Sequence, residues 1–188
     1  SAKARATSPS RSAAPAATDV YARRVSPLGI LLDAVPFAVS TAPEAQWWPQ
    51  VACDASNCLI AWVDRRAYPG QPYNVDPGPG DMYGAFVTRD GIVLNGDPAT
   101  GELAIATGIS ANAGYPGLAF NGAEYVLAWS RGAFLNNPGG PTGIYAARIS
   151  ASGAMTPGAP GIAVSGLPAA ATRLWYPTLA SLSSGTLA

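Results

Sequence analysis

The run Trp48-Pro49-Gln50-Val51-Ala52, followed after Cys53-Asp54-Ala55-Ser56-Asn57 by Cys58-Leu59-Ile60-Ala61-Trp62, decides how this chain is read. It returns as Tyr115-Pro116-Gly117-Leu118-Ala119 ahead of Tyr125-Val126-Leu127-Ala128-Trp129. Its opening returns once more as Tyr176-Pro177-Thr178-Leu179-Ala180. An aromatic-Pro-x-aliphatic-Ala unit at 48, 115 and 176 is an internal repeat with steps of 67 and 61 residues. A period of that length marks a repeated supersecondary unit.

A second unit keeps the same beat. Asp19-Val20-Tyr21-Ala22-Arg23-Arg24-Val25 turns at Ser26-Pro27-Leu28-Gly29. Asp81-Met82-Tyr83-Gly84-Ala85-Phe86-Val87 turns at Thr88-Arg89-Asp90-Gly91, and Gly143-Ile144-Tyr145-Ala146-Ala147-Arg148-Ile149 turns at Ser150-Ala151-Ser152-Gly153. Tyrosines at 21, 83 and 145 are 62 residues apart, and glycines at 29, 91 and 153 hold the same register. A glycine fixed at the end of a turn points to a backbone position with φ > 0. The segments are short, apolar or alternating, and bounded by Gly, Pro, Asn and Asp, which is the pattern of strands and hairpins. No stretch sustains a 3.6-residue apolar face with caps, so almost no helix is expected.

Composition agrees. Of 188 residues, 21 are Gly and 18 are Pro, suited to many strands joined by turns. The 11 basic and 11 acidic residues balance, which gives no electrostatic reason to expect nucleic acid or an anionic membrane as partner. No apolar run reaches the 18 or so residues of a membrane-spanning helix. No segment has the charged start and apolar centre of a signal peptide, which fits a cytosolic or a processed chain. Histidine is absent, which removes imidazole acid–base chemistry, Ser-His and Cys-His nucleophile pairs, and His-based metal sites. Cys53 and Cys58 are the only cysteines and flank a predicted hairpin turn. Facing each other across paired strands, they are within disulfide reach, the alternative being two reduced thiols. A disulfide implies an oxidising compartment: secreted, periplasmic or cell-surface.

Each full module reads as four strands: the aromatic-Pro strand, the strand ending in Trp, the Tyr strand, and an irregular Pro-containing strand placed at the sheet edge because Pro cannot donate to a ladder. Residues 1–18 read as a flexible arm, 19–40 as the last two strands of a module, 46–109 and 113–166 as complete modules, and 173–188 as the start of another. The two long connections, Arg65 to Gly80 and Arg131 to Thr142, are rich in Gly and Pro and are expected at the surface.

Four-strand modules of about 60 residues with the aromatic-Pro strand innermost suit the blades of a β-propeller. The pattern aromatic-Pro-x-Val-Ala, Leu-Val-x-Trp, Ile-Tyr-x-x-Arg-Val and Gly resembles bacterial secreted propeller-like repeats over residues 19–188, many of them in proteins of unassigned function. The expected architecture is therefore all-β: two complete four-strand blades plus two half blades, part of a larger ring. A β-sandwich of the same strands is the competing arrangement. Because propellers close with four to eight blades, the expected partner is a second propeller segment or another copy of the chain.

Candidate binding residues are the aromatics opening the innermost strands: Trp47 and Trp48, Tyr115, Trp175 and Tyr176. Tyr68 and Tyr73 in the first long connection join them. Such rings can stack on sugar faces or accept a cation, so the expected ligand is a glycan or a protein. Trp62 and Trp129 are expected to pack between modules. Asp76 and Asp81, spaced by Pro and Gly, are the only candidates for calcium, and no cofactor motif is present. The alternative is a fragment of a sialidase-like glycoside hydrolase. It would draw on carboxylates among Asp64, Asp76, Asp81, Glu44, Glu102 and Glu124, on Arg65, Arg66 and Arg131, and on Tyr68 as nucleophile. No repeated motif ties these residues together, so the non-enzymatic reading leads.

Overall fold

The computed structural model describes residues 18–70, 80–95, 101–108, 113–132, 143–158, 161–165, 176–182 and 185–187. These are all-β and antiparallel, with no helix. The predicted loop residues 71–79 and 133–142, and residues 1–17 of the predicted arm, lie outside them. Thr18, the last residue of that arm, is tied down: its carbonyl accepts from Gln46 N at 2.7 Å and its hydroxyl donates to Gln46 O at 3.0 Å.

β1 (Val20–Ala22) pairs with β2 (Phe37–Ser40). A four-stranded sheet follows in the order β3 (Gln46–Cys53), β4 (Asn57–Asp64), β5 (Asp81–Thr88) and β6 (Leu103–Ala106). A third sheet repeats it with β7 (Ala113–Phe120), β8 (Tyr125–Arg131) and β9 (Gly143–Ile149). Its edge is split between β10 (Met155–Thr156) and β11 (Ile162–Ala163), both on β9. β12 (Ala180–Leu182) and β13 (Gly185–Leu187) form a last hairpin. The strands expected at the edge, β2, β6 and β10 with β11, do lie at sheet edges, but none holds a proline within its bounds; Pro49 and Pro116 lie in β3 and β7, the opposite edges, where a missing N–H is tolerated.

The turns repeat atom for atom. Gly29, Gly91 and Gly153 have φ of 79°, 85° and 85°, and each donates its N–H at 2.9 Å to the carbonyl of Ser26, Thr88 or Ser150. The hydroxyls of those three residues then accept from the N–H of Ile30, Ile92 and Ala154. At the other hairpins, Asp54 Oδ1 accepts from Ser56 N and Asn57 N, and Asn121 Oδ1 accepts from Ala123 N and Glu124 N. These side-chain acceptors stand in for a turn of backbone. Cys53 and Cys58 are directly paired across the first of these hairpins and are joined as a disulfide. Closing a loop of sequence separation 5 contributes about 2 kcal/mol in the chain-entropy picture.

The first three sheets are layered in series. Along β4, Leu59, Ala61 and Val63 enter the core shared with the third sheet, while Ile60 and Trp62 enter the core shared with β1–β2. The two-residue period of a strand sends successive side chains to opposite faces, so a sheet covered on both sides must be apolar at nearly every position. The whole of β4 from Leu59 to Val63 is accordingly buried. Each large side chain so enclosed contributes about 1.5–3 kcal/mol. Trp62 and Trp129, register-matched and fully buried, fill the first and second interfaces. Tyr125 spans the second: its hydroxyl donates to Asn57 O at 3.0 Å and accepts from Asp54 N at 3.2 Å.

Candidate functional site

The aromatic-Pro unit is a β-bulge. Trp47 faces Val63 and Gln50 faces Ala61, so Trp48 and Pro49 together oppose Trp62. The same jump falls between Gly114 and Gly117, where Tyr115 and Pro116 oppose Trp129. Proline suits the unpaired position because it has no N–H to satisfy. The residue before it takes an uncommon conformation: φ is 52° at Trp48, 49° at Tyr115 and 59° at Tyr176. For bulky side chains the left-handed region costs on the order of 1–3 kcal/mol each.

What the bulge achieves is direction. It turns each aromatic ring out of its own ladder toward the aromatic-Pro segment of the neighbouring module. Trp48 and Tyr115 rings lie 4.6 Å apart between centroids, tilted by 35°, and Tyr115 and Tyr176 lie 4.0 Å apart, tilted by 39°. Trp47 extends the row from behind, 5.6 Å from Trp48, with the buried Arg65 guanidinium 5.0 Å from its ring. The result is an aromatic ladder running across three modules. Tyr176, 62% exposed, is its open end.

A groove of about 270 Å³ runs along the ladder. Trp48, Tyr115 and Tyr176 supply its rings, Gln50 and Thr178 an amide and a hydroxyl, and Pro116 and Pro177 apolar edges. Its floor is tight at Gly117, where a Cβ would sit 2.5 Å from the Pro177 carbonyl oxygen. Ring faces beside a few polar groups are the chemistry of a carbohydrate-type or peptide-type site.

A second polar centre closes the end of the β3–β6 sheet. Asp64, fully buried, accepts from Trp62 Nε1 at 3.0 Å, Arg66 N at 2.8 Å, Arg66 Nε at 2.8 Å and Arg66 Nη2 at 2.6 Å. Arg66 also pairs with Glu102 and lies over the Tyr83 ring at 4.1 Å. Burial works against the Arg66 charge, but the hydrogen bonds that Arg66 donates to Asp64 and Glu102, together with the charges of those carboxylates, outweigh it and hold the guanidinium firmly protonated. Directly opposite Asp64 in the ladder is Asp81, which accepts from Tyr68 OH at 3.2 Å and Gly108 N at 3.1 Å. Burial, aided by the neighbouring Asp64 charge, pushes the Asp81 carboxyl above its usual range. Burial and the Asp81 charge likewise push the Tyr68 phenol up, the opposite of what a nucleophilic tyrosine needs.

The structure thus brings Trp48, Tyr115 and Tyr176 into one groove, with Trp47 behind. Tyr68 is drawn into the polar centre with Asp81 and is absent from the groove lining. Trp175, Tyr73 and Asp76 lie outside the described residues. Among the described residues no group of three or more His, Cys, Asp or Glu is placed to hold a metal ion. The cross-module stacking and the contribution of Gln50, Gly117 and Thr178 escaped sequence reasoning. The pre-proline aromatic recurring at one register was the available signal for the stacking. No helix among the described residues is long and apolar enough to cross a membrane.

No protein-family model matches this chain, and no curated protein or solved structure matches it either. What the geometry defines is a class: an all-β, antiparallel architecture carrying a ladder of stacked aromatic rings.

Proposed function

We propose that this chain is a segment of a secreted or surface-exposed β-propeller-like protein, and that it works as a non-enzymatic binding module whose ligand groove is the aromatic ladder. The observation that carries this reading is the strain at Trp48, Tyr115 and Tyr176: three segments hold an aromatic residue before proline at φ of 49–59°, at a cost, and so present a continuous row of rings. Strain repeated at one register is a signature of a site that uses it. Ring faces next to the Gln50 amide and the Thr178 hydroxyl favour a glycan as ligand. The propeller reading is supported by sheets layered in series with their first strands adjacent, where a two-layer sandwich would leave the β3–β6 sheet one wet face.

The described sheets are fewer than a propeller ring requires. The proposed assembly partner is therefore a second propeller segment or another copy of the chain, and native mass measurement tests it, a stable monomer counting against it. The glycoside hydrolase alternative draws less support, since Asp64 and Glu102 are buried in ion pairs with Arg66 and Tyr68 is held protonated. The binding reading is tested on a glycan array with the wild-type chain and Tyr176→Ala. This exposed ring is cheap to remove, so retained fold with at least tenfold weaker glycan retention is the expected result. Wild-type retention unchanged by the substitution, or no retention by the wild type, would refute it.

A further inference from the structure

The first interface between sheets differs from the second at the hairpin end. Between the second and third sheets, the hairpin pair Phe120 and Tyr125 inserts two rings 5.0 Å apart, with Phe86 edge-on to Tyr125 at 5.6 Å. At the preceding interface the register-matched residues are Cys53, Cys58 and Arg24. Two rings are replaced by a disulfide, and the third by a side chain drawn away into an ion pair with Asp33 at 2.6 Å. A cavity of about 440 Å³ occupies this place. The disulfide forms part of its wall, with Phe37, Leu32, Val51, Ile60 and Val87 as apolar lining. That volume lies in the range of small-molecule sites, which are mostly apolar with a few polar groups.

Arg23, Arg24 and Arg89 are also among its lining residues. Arg23 reaches carbonyl oxygens, Asp33 O at 2.8 Å and Ala34 O at 2.9 Å, and Arg89 reaches Asp54 O. Each guanidinium keeps further N–H groups beyond these bonds, which can donate to an oxygen held in the cavity. At the next interface the ring that fills the matching space also carries a hydroxyl, that of Tyr125, bonded to the facing hairpin.

We propose that this cavity binds a small single-ring phenol, which takes the position that the Phe120 and Tyr125 side chains take one module later. The ring packs against the disulfide and Ile60, and the hydroxyl meets the arginine edge. The site is separate from the aromatic ladder and does not depend on its role.

The test uses p-cresol, the tyrosine side-chain analogue, titrated into the full chain with isotope-labelled methyl groups. Saturable shifts at the Val51, Ile60 and Val87 methyls are expected. Cys53→Phe with Cys58→Tyr transplants the protein's own ring pair into the cavity and should weaken that binding at least tenfold. Val51→Trp, at an exposed lining position that keeps the disulfide, should do the same and covers the case in which the double variant fails to fold. Three results would overturn the proposal: no saturable shift at those methyls, as when the chain itself fills the cavity; shifts confined to residues of the aromatic groove; or undiminished binding in the filled variants.

Discussion

Trp62 and Trp129 form an internal control that few proteins offer. Both are fully buried, both oppose an aromatic-Pro bulge, and both occupy the same position of their strands. They differ in what the indole nitrogen meets. Trp62 Nε1 donates to Asp64 Oδ2 at 3.0 Å, whereas two residues beyond Trp129 stands Arg131, and Trp129 Nε1 has no partner among the described residues. Replacing either by Phe removes the same part of the indole from a packed interface, so that cost cancels in the comparison. What remains is chemical. Trp62→Phe gives up a hydrogen bond to a carboxylate worth about 1.5–3 kcal/mol. Asp64 keeps its bonds to Arg66, so no orphaned charge adds to the loss. Trp129→Phe deletes a buried donor whose unmet desolvation costs about 1–3 kcal/mol. Trp62→Phe should therefore be the more destabilising by about 2 kcal/mol or more. At a urea slope of about 2 kcal/mol/M, its midpoint should fall about 1 M below that of Trp129→Phe. Far-UV circular dichroism is the appropriate probe because the substitutions alter the fluorescence. Equal midpoints, or a lower one for Trp129→Phe, would refute the argument that the Asp64 bond separates the two sites.

Two further outcomes follow from the packing and the charges. Gly117→Ala places a methyl group 2.5 Å from the Pro177 carbonyl oxygen, a backbone atom that cannot step aside alone. Destabilisation of about 1–3 kcal/mol, with loss of the Tyr115–Tyr176 ring-current shifts by NMR, is expected, and an unperturbed spectrum would show that the two segments are not packed this closely. The raised Asp81 carboxyl binds its proton more tightly folded than unfolded, so its contribution to stability is fully present below pH 3.8 and is lost as pH rises through the folded value. Asp81→Asn should gain stability relative to wild type across that window, and a carbon-detected titration placing Asp81 at or below 3.8 would contradict the assignment.

Much of the fold was legible because the repeat was. Tyr21, Tyr83 and Tyr145 at a constant step, and Gly29, Gly91 and Gly153 behind them, fixed strands and turns together: a glycine required at φ near 80° admits few alternatives. The facing of Cys53 and Cys58 was legible from the hairpin, since their direct pairing follows from the turn length, and the structure joins them as a disulfide rather than leaving two thiols. The site was legible only in part. Trp48, Tyr115 and Tyr176 stood out as candidates, but so did Tyr68, which the fold spends on Asp81. A tyrosine in a Pro- and Gly-rich connection looks the same in sequence whether its ring faces a groove or a buried carboxylate.

Local chemistry acts within a hairpin, and the chain alone determined what depends on it: the strand order within each module, the edge position of each module's last strand, and the facing of Cys53 and Cys58. Contacts between modules join residues about 60 positions apart, and only the tertiary structure decided those. It set the left-handed twist at each pre-proline aromatic, stacked three rings across three modules, and left a cavity where Cys53 and Cys58 replace Phe120 and Tyr125. Sequence periodicity records which positions correspond. How closely corresponding positions approach is set by the bulges and by the side chains between the sheets.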